Sequence, residues 1–440
     1  MDQITALNIL KTGKNVYLTG KSGAGKSYTI RQYIAYLRRN KIPVAVTGST
    51  GIAAINVNGT TIHSWSGIGI NSSVTPALIK KIQNNRFKYE SIMSAKVLII
   101  DEISMLHAIQ FNMVDQVLKT LRNNDLPFGG LQIICVGDHN QLPPVDKEGR
   151  ASKDKFCFMT PAWVEADFKV CYLTEVHRQS AGQFVDILNA IRAQTITTEQ
   201  IQVLKNTINN DLSDTPLHLY THNVDVEMLN VMQLEQLQGD KVVNVASEMG
   251  DKYLIEQIKA NARAPERLEL KINAKVMFVR NDVDGRYVNG TQGTVKSFIK
   301  IEGRQVPVVM TLDGHEIVAQ PVKWTIENNH GKPLAIYSQV PLRLAYAITV
   351  HSSQGMTLQE AEIDLTKTFE AGQGYVALSR LKTIEGLRLI GVNQRAFLLD
   401  SLALKADKRF LELSAVNVKD YTAVRSTEHT DFLKRCKSRR

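Results

Sequence analysis

The stretch Gly20-Lys21-Ser22-Gly23-Ala24-Gly25-Lys26-Ser27 has the residue types and spacing to cradle phosphate. Glycines let a loop wrap backbone N–H groups around phosphate oxygens, with a lysine and a hydroxyl following at a helix start. On this reading Gly23, Ala24 and Gly25 line the loop, Lys26 reaches the β and γ phosphates, and Ser27 offers a hydroxyl to Mg²⁺. A second candidate is Val97-Leu98-Ile99-Ile100-Asp101-Glu102, an apolar run ending in two carboxylates. Downstream of a phosphate loop, such a pair is expected to supply a metal ligand, Asp101, and a water-activating base, Glu102. A third is Gly137-Asp138-His139-Asn140-Gln141-Leu142-Pro143-Pro144-Val145, where the neutral amide of Gln141 could sense a γ phosphate.

Parallel sheets present ligands at the carboxyl ends of their strands, so each motif needs a strand before it. Short β-rich runs at Val16–Thr19, Val44–Thr47, Val97–Asp101 and Gln132–Gly137 alternate with helical periodicity such as Tyr28–Arg39, which predicts a parallel α/β sheet. The pattern resumes at Val170–Glu175, Leu217–Tyr220, Ala345–Val350 and Glu362–Leu365, which predicts a second α/β domain. From Lys275 to Gln339 it changes to strands divided by the turns Asp284-Gly285, Asn289-Gly290 and Asp313-Gly314, which predicts a small inserted all-β barrel. The expected domains are 1–165, with a minor subdomain at about 55–90, then 166–274 with 340–400, the barrel at 275–339, and a basic C-terminal segment at 401–440.

Composition narrows the function classes. A chain of 440 residues, 43% hydrophobic and 22% charged, buries several cores and is not a disordered polyampholyte. It has no uninterrupted apolar run long enough to span a bilayer and no leader at its start, so neither a secreted nor a membrane protein is expected. Cys135, Cys157, Cys171 and Cys436 are scattered without metal-ligand spacing, which suits a reducing compartment. Fifty-three basic against 43 acidic residues leave a net charge of +10, which favours a polyanionic partner. Residues 401–440 hold ten basic and five acidic residues and read equally as a solvated terminus or a binding arm.

The run of motifs resembles superfamily-one DNA helicases, most closely the petite-integration-frequency (PIF) family of 5′ to 3′ helicases. Beside the three motifs above, Asp101 to Met105, Thr50-Gly51-Ile52-Ala53-Ala54 and Thr61-Ile62-His63-Ser64-Trp65 carry the resemblance. So do Leu173-Thr174-Glu175-Val176-His177-Arg178-Gln179, Val288-Asn289-Gly290-Thr291, Thr349-Val350-His351-Ser352-Ser353-Gln354-Gly355 and Tyr375-Val376-Ala377-Leu378-Ser379-Arg380. The resemblance implies two RecA-like P-loop domains with ATP in the cleft between them, plus a small β-barrel. It implies adenine contact by Gln3, a nucleotide-side role for Gly355, and second-domain arginines Arg178 and Arg380 that join Lys26, Glu102 and Gln141 in catalysis. Thr50, Gly51, Thr61, His63, Trp65, Asn223, Thr349, His351 and Ser353 would line the DNA groove, with Trp65 either facing a base or buried beneath a turn.

The implied cofactors are ATP and Mg²⁺. The implied partners are single-stranded and forked or structured DNA, engaged by a monomer with no membrane contact. Where the family usually has His-Lys-Ser-Gln-Gly, this chain has Ser352 after His351, removing a cation near DNA. The P-loop begins at residue 20, from which we expect no long N-terminal extension and a cytoplasmic protein of bacterial or viral origin. Two other readings remain, a P-loop phosphotransferase and a non-hydrolysing DNA clamp. Intact Lys26, Asp101, Glu102 and both arginines speak against the clamp.

Overall fold

The computed structural model describes residues 1–440 except 70, 145–148, 176–177, 180–181, 214–215, 281, 283, 288, 328–332, 422–425 and 439–440. Of the motif residues named above, Val145, Val176, His177 and Val288 lie outside the described residues, as do 422–425 and 439–440 of the basic tail. The chain divides into two compact units, Met1–Thr195 with Phe397–Arg440, and Ile196–Ala396.

The first unit is built on six strands, β1 (Val16–Gly20), β2 (Val44–Gly48), β3 (Thr60–Thr61), β4 (Val97–Asp101), β5 (Gln132–Val136) and β6 (Lys169–Leu173). They form one sheet in the order β3-β2-β4-β5-β1-β6, every pair parallel. Alternate residues feed the two faces: Leu98 and Ile100 join one core with Phe111, Phe128 and Trp163, while Val97 and Ile99 join the other with Ile30, Tyr33 and Leu37. Burial on both faces is why these strands read as continuous apolar runs rather than alternating ones. The expected strands at 16–19, 44–47, 97–101 and 132–137 are present, each within a residue or two.

Two expectations are corrected here. Residues 169–173 belong to the first sheet, where β6 pairs with β1 over five positions from Val16↔Lys169 to Gly20↔Leu173. The first domain therefore runs past residue 165, and an apolar run carries no information about which sheet it joins. Within the stretch at 55–90, helices Pro76–Asn84 and Arg86–Ser94 insert Leu78, Ile82 and Ile92 into the first core. Over its described residues the C-terminal segment is not a solvated terminus. Helix Ser401–Tyr421 buries Ala403, Phe410, Ser414 and Asn417, and helix Ser426–Ser438 brings Phe432 against Gly13.

The second unit holds a four-stranded parallel sheet in the order Ala347–Thr349, His218–Tyr220, Ala361–Leu365, Leu387–Val392. Two parallel-sheet α/β bodies and an added β region give the expected fold class. The β region is wider than 275–339. Its five-stranded antiparallel sheet runs Glu316–Val318, Arg304–Thr311, Gln292–Ile301, Lys275–Phe278, Leu342–Leu344. A three-stranded sheet of Val322–Glu327, Pro333–Gln339 and Ser247–Gly250 lies beside helix Lys252–Ala262, so residues from both flanks are recruited.

Candidate functional site

β1 delivers the chain to Gly20 at the carboxyl edge of the first sheet, and helix Lys26–Arg39 starts directly after the loop. Its N-cap is Gly25 at φ 85°, with no side-chain cap, so no side chain competes for the first-turn N–H groups. Gly23 is at φ 80°, and a Cβ there would lie 2.6 Å from Cβ of Arg178, so only glycine fits this close approach. The Lys26 ammonium donates to the carbonyls of Gly20 at 2.7 Å and Lys21 at 3.0 Å, spanning the loop that it serves. Burial lowers its pKa, opposed by the Asp138 and Glu102 carboxylates.

Asp101 ends β4 and is buried, and its Oδ1 accepts from the Glu102 N–H at 3.0 Å. Glu102 occupies the left-handed region at φ 51° and ψ 47°, uncommon for a residue with a side chain. Three bonds hold it there: besides that to Asp101, its carbonyl accepts from Ser49 Oγ at 2.6 Å and from Met105 N at 3.1 Å. Burial, then the neighbouring Glu102 charge, pushes the Asp101 carboxyl up to about 7. Buried Asp101 and half-buried Glu102 at the sheet edge offer the hard oxygen donors that suit magnesium; Ser27, exposed in the first turn of its helix, adds a hydroxyl.

Gln141 is buried, and its amide donates to Asp138 Oδ2 at 3.2 Å. Sequence reasoning named Asp138 without giving it a role and missed Arg192 altogether. The Arg192 guanidinium grips Asp138 through two bonds, 2.6 and 3.0 Å, and also donates to Tyr172 Oη at 3.0 Å and Asp407 Oδ1 at 2.9 Å. Burial alone would raise the Asp138 carboxyl, but Arg192 holds it at about 2. The available signal was periodicity: Phe184, Leu188 and Arg192 fall four residues apart on helix Gln183–Ala193, placing a lone arginine on the buried face. His139 is a core residue, sharing a 3.0 Å hydrogen bond with Tyr17 Oη and driven by burial to a pKa of about 4.

Arg178 belongs to the first unit, not the second, which corrects the expectation for it. Because β6 runs parallel to β1, the chain leaving its carboxyl end passes the P-loop, and Arg178 Nη1 donates to Ser22 Oγ at 2.8 Å. Arg380 is in the second unit, almost fully buried, with Nε donating to the Val376 carbonyl at 2.9 Å. Gln3 is half-buried at the start of helix Gln3–Lys11, and Gly355 lies in an exposed turn at φ 80°.

The first unit's DNA candidates flank two short helices. Thr50 Oγ1 accepts from Ala53 N at 3.2 Å, Gly51 opens helix Gly51–Asn56, and Thr61 Oγ1 caps helix Ile62–Ser66 through Ser64 N at 3.3 Å. His63 is half-buried, which lowers its pKa. Trp65 is also half-buried, packed on the core with Nε1 donating to Ser91 Oγ at 3.0 Å. In the second unit Asn223 is exposed at the start of helix Asn223–Gln236, and Thr349 Oγ1 accepts from Ser352 N at 3.1 Å. His351 lies against Phe369, ring centroids 6.3 Å apart. Ser353 is fully buried and its hydroxyl donates to the Val350 carbonyl at 2.7 Å, so the side chain faces inward and its expected DNA contact is withdrawn.

Against this geometry, the profile of a family described as PIF1-like helicase matches residues 1–202. The ATP-dependent DNA helicase Pif1 of Psychrobacter sp. (strain PRwf-1) is 44% identical over 469 residues, covering 94% of this chain and 71% of that relative. The crystal structure of Pif1 helicase from Candida albicans superimposes with a TM-score of 0.78 at 34% identity, covering 92% of this chain and 98% of that one. Pif1 helicase from Bacteroides in complex with ADP-AlF3 and ssDNA gives a TM-score of 0.65 at 27% identity, covering 93% and 96%.

Proposed function

The chain belongs to the PIF1-like helicase family, and from that premise we propose that it is an ATP-dependent DNA helicase moving 5′ to 3′ along single strands and opening duplex, forked or structured DNA. The observation that carries the reading is the convergence, at one carboxyl edge of the first sheet, of the Gly20–Ser27 loop, the Asp101-Glu102 pair and Gln141. That set binds a nucleoside triphosphate and hydrolyses it.

In this reading Lys26 releases the loop carbonyls and pairs with the β and γ phosphates, while Gln3 contacts adenine. Magnesium, when bound, would neutralise charge on the phosphate oxygens, with Ser27 and Asp101 to hold it. Glu102, its backbone fixed by three hydrogen bonds, takes the proton of the attacking water. Gln141, kept in place by Asp138, orients that water. Arg178, already against the loop, stabilises charge developing on the transferring phosphoryl group, and Arg380 has the same assigned role.

Thr50, Gly51, Thr61, His63, Trp65, Asn223, Thr349 and His351 hold the strand through small polar groups and rings, contacts that carry no sequence code. Burial lowers both histidine pKa values, so they serve at neutral pH as hydrogen-bonding and stacking groups rather than cations. One chain carries both the nucleotide and the DNA residues, so a monomer suffices. Cys135, Cys157, Cys171 and Cys436 are free thiols. Among the described residues no helix is long and apolar enough to cross a membrane.

A phosphotransferase would use the same P-loop, and a clamp the same groove; ATP hydrolysis measured with and without single-stranded DNA separates them. The rate should rise with oligonucleotide concentration to a plateau. A rate indifferent to DNA would return the phosphotransferase reading, and DNA binding without hydrolysis the clamp.

A further inference from the structure

Ser352 removes a cation where the family places a lysine, yet the same turn is met by another positive side chain. Arg263, the C-cap of helix Lys252–Ala262 at φ 57°, points Nη1 and Nη2 at the Ser352 carbonyl from 3.4 and 3.5 Å. A cavity of about 440 Å³ opens there, lined by Arg263, Arg343, Asn223, Thr349 and Ser352 among others, all within the second unit. Arg343 lies on strand Leu342–Leu344, paired opposite Met277, and its Nε and Nη2 are buried without a hydrogen-bond partner.

Carboxylates also line this cavity, but two are engaged elsewhere: Glu269 with Arg267 at 2.9 Å, and Glu235 with Lys241. Glu227 is exposed. Burial and then the Arg343 charge lower Arg263 to about 9, and burial lowers Arg343 to about 10, so both stay charged at neutral pH and no acid offsets either shift. Two half-buried guanidinium groups that face no engaged carboxylate are less favourable in an empty cavity than around an anion. Arginine's planar fork matches phosphate oxygens.

We propose that the Arg263–Arg343 cavity binds a phosphodiester of the translocating single strand, with Arg263 supplying the positive charge that Ser352 does not. The strand, rather than a free phosphate, is favoured because Asn223 and Thr349, which also line the cavity, are proposed above to hold DNA. The inference rests on the helicase reading above.

The test is binding of an oligothymidylate titrated with salt, comparing wild type, Arg263→Gln, Arg343→Gln and the double variant Arg263→Gln/Ser352→Lys. Each neutralised phosphate on a single strand adds roughly 0.7 to the log–log salt slope, so each glutamine variant should lose about that increment and Ser352→Lys should restore it in the Arg263→Gln background. Thermal midpoints without DNA decide whether the arginines are structural. A site arginine leaves the midpoint unchanged or raised when replaced, because an unpaired buried cation is removed, whereas a structural arginine lowers it. Slopes unchanged in both variants, or lowered midpoints without a slope change, overturn the proposal. Inorganic phosphate titrated calorimetrically into wild type identifies a free-anion site, and saturation by phosphate with unchanged DNA slopes also overturns it. If wild type binds no single strand at all, the helicase reading fails first and takes this inference with it. A wild type that binds normally isolates the failure to the cavity.

Discussion

Glu102→Gln is expected to lower ATP turnover by about 10²- to 10⁴-fold, the range a positioned general base contributes, while single-stranded DNA binding stays at the wild-type level. Glutamine keeps the size and backbone demands of position 102, where φ is 51° and the carbonyl accepts from Ser49 and Met105, and it removes only the proton acceptor. Lys26→Ala should match it in hydrolysis for a different reason, loss of the cation on the transferring phosphates. Steady-state hydrolysis and fluorescence-anisotropy binding on the same preparations check both. Near-normal turnover by Glu102→Gln would give the base assignment to another residue and leave the left-handed strain at Glu102 unexplained.

Arg192→Leu is expected to destabilise the first unit by about 3–5 kcal/mol, since removing one partner leaves the other buried charges uncompensated. Its side chain is 5% exposed and that of Asp138 0%, so water cannot replace the lost bonds. Equilibrium urea unfolding reads the change, and a loss below about 1 kcal/mol would place the network in the class of surface pairs. The same pair has a pH signature. Asp138 is held at about 2 against an ordinary 3.8, so its contribution is fully present above about pH 4 and is lost as pH falls through 2. Asp138→Asn should flatten that acid limb. Gln141 also loses its carboxylate acceptor in Asp138→Asn, so hydrolysis should fall in that variant.

How much of this was legible in the sequence depends on the range over which each signal acts. The P-loop and Asp101-Glu102 were readable because their geometry is set by a strand, a turn and a helix start within a few residues. Arg192 was half-readable from its place in the apolar stripe of one helix, but its partner Asp407 lies 215 residues further on. β6 was recognised as a strand and assigned to the wrong sheet, because pairing with β1 is a tertiary choice. In the tail, net charge drew attention away from Ala403, Phe410, Ser414 and Asn417, whose spacing of seven, four and three marks a buried helical stripe. Ser353 failed for a geometric reason: neighbours on a helix turn by about 100°, so His351 and Ser353 of one motif need not face the same way.

Strand separation on a duplex carrying either a 5′ or a 3′ single-stranded tail, with ATP present, reads polarity and its coupling to hydrolysis in one measurement. The 5′-tailed duplex is expected to open and the 3′-tailed one is not, and Glu102→Gln is expected to open neither. Equal opening of both tails, or opening by wild type without ATP hydrolysis, would contradict the helicase reading.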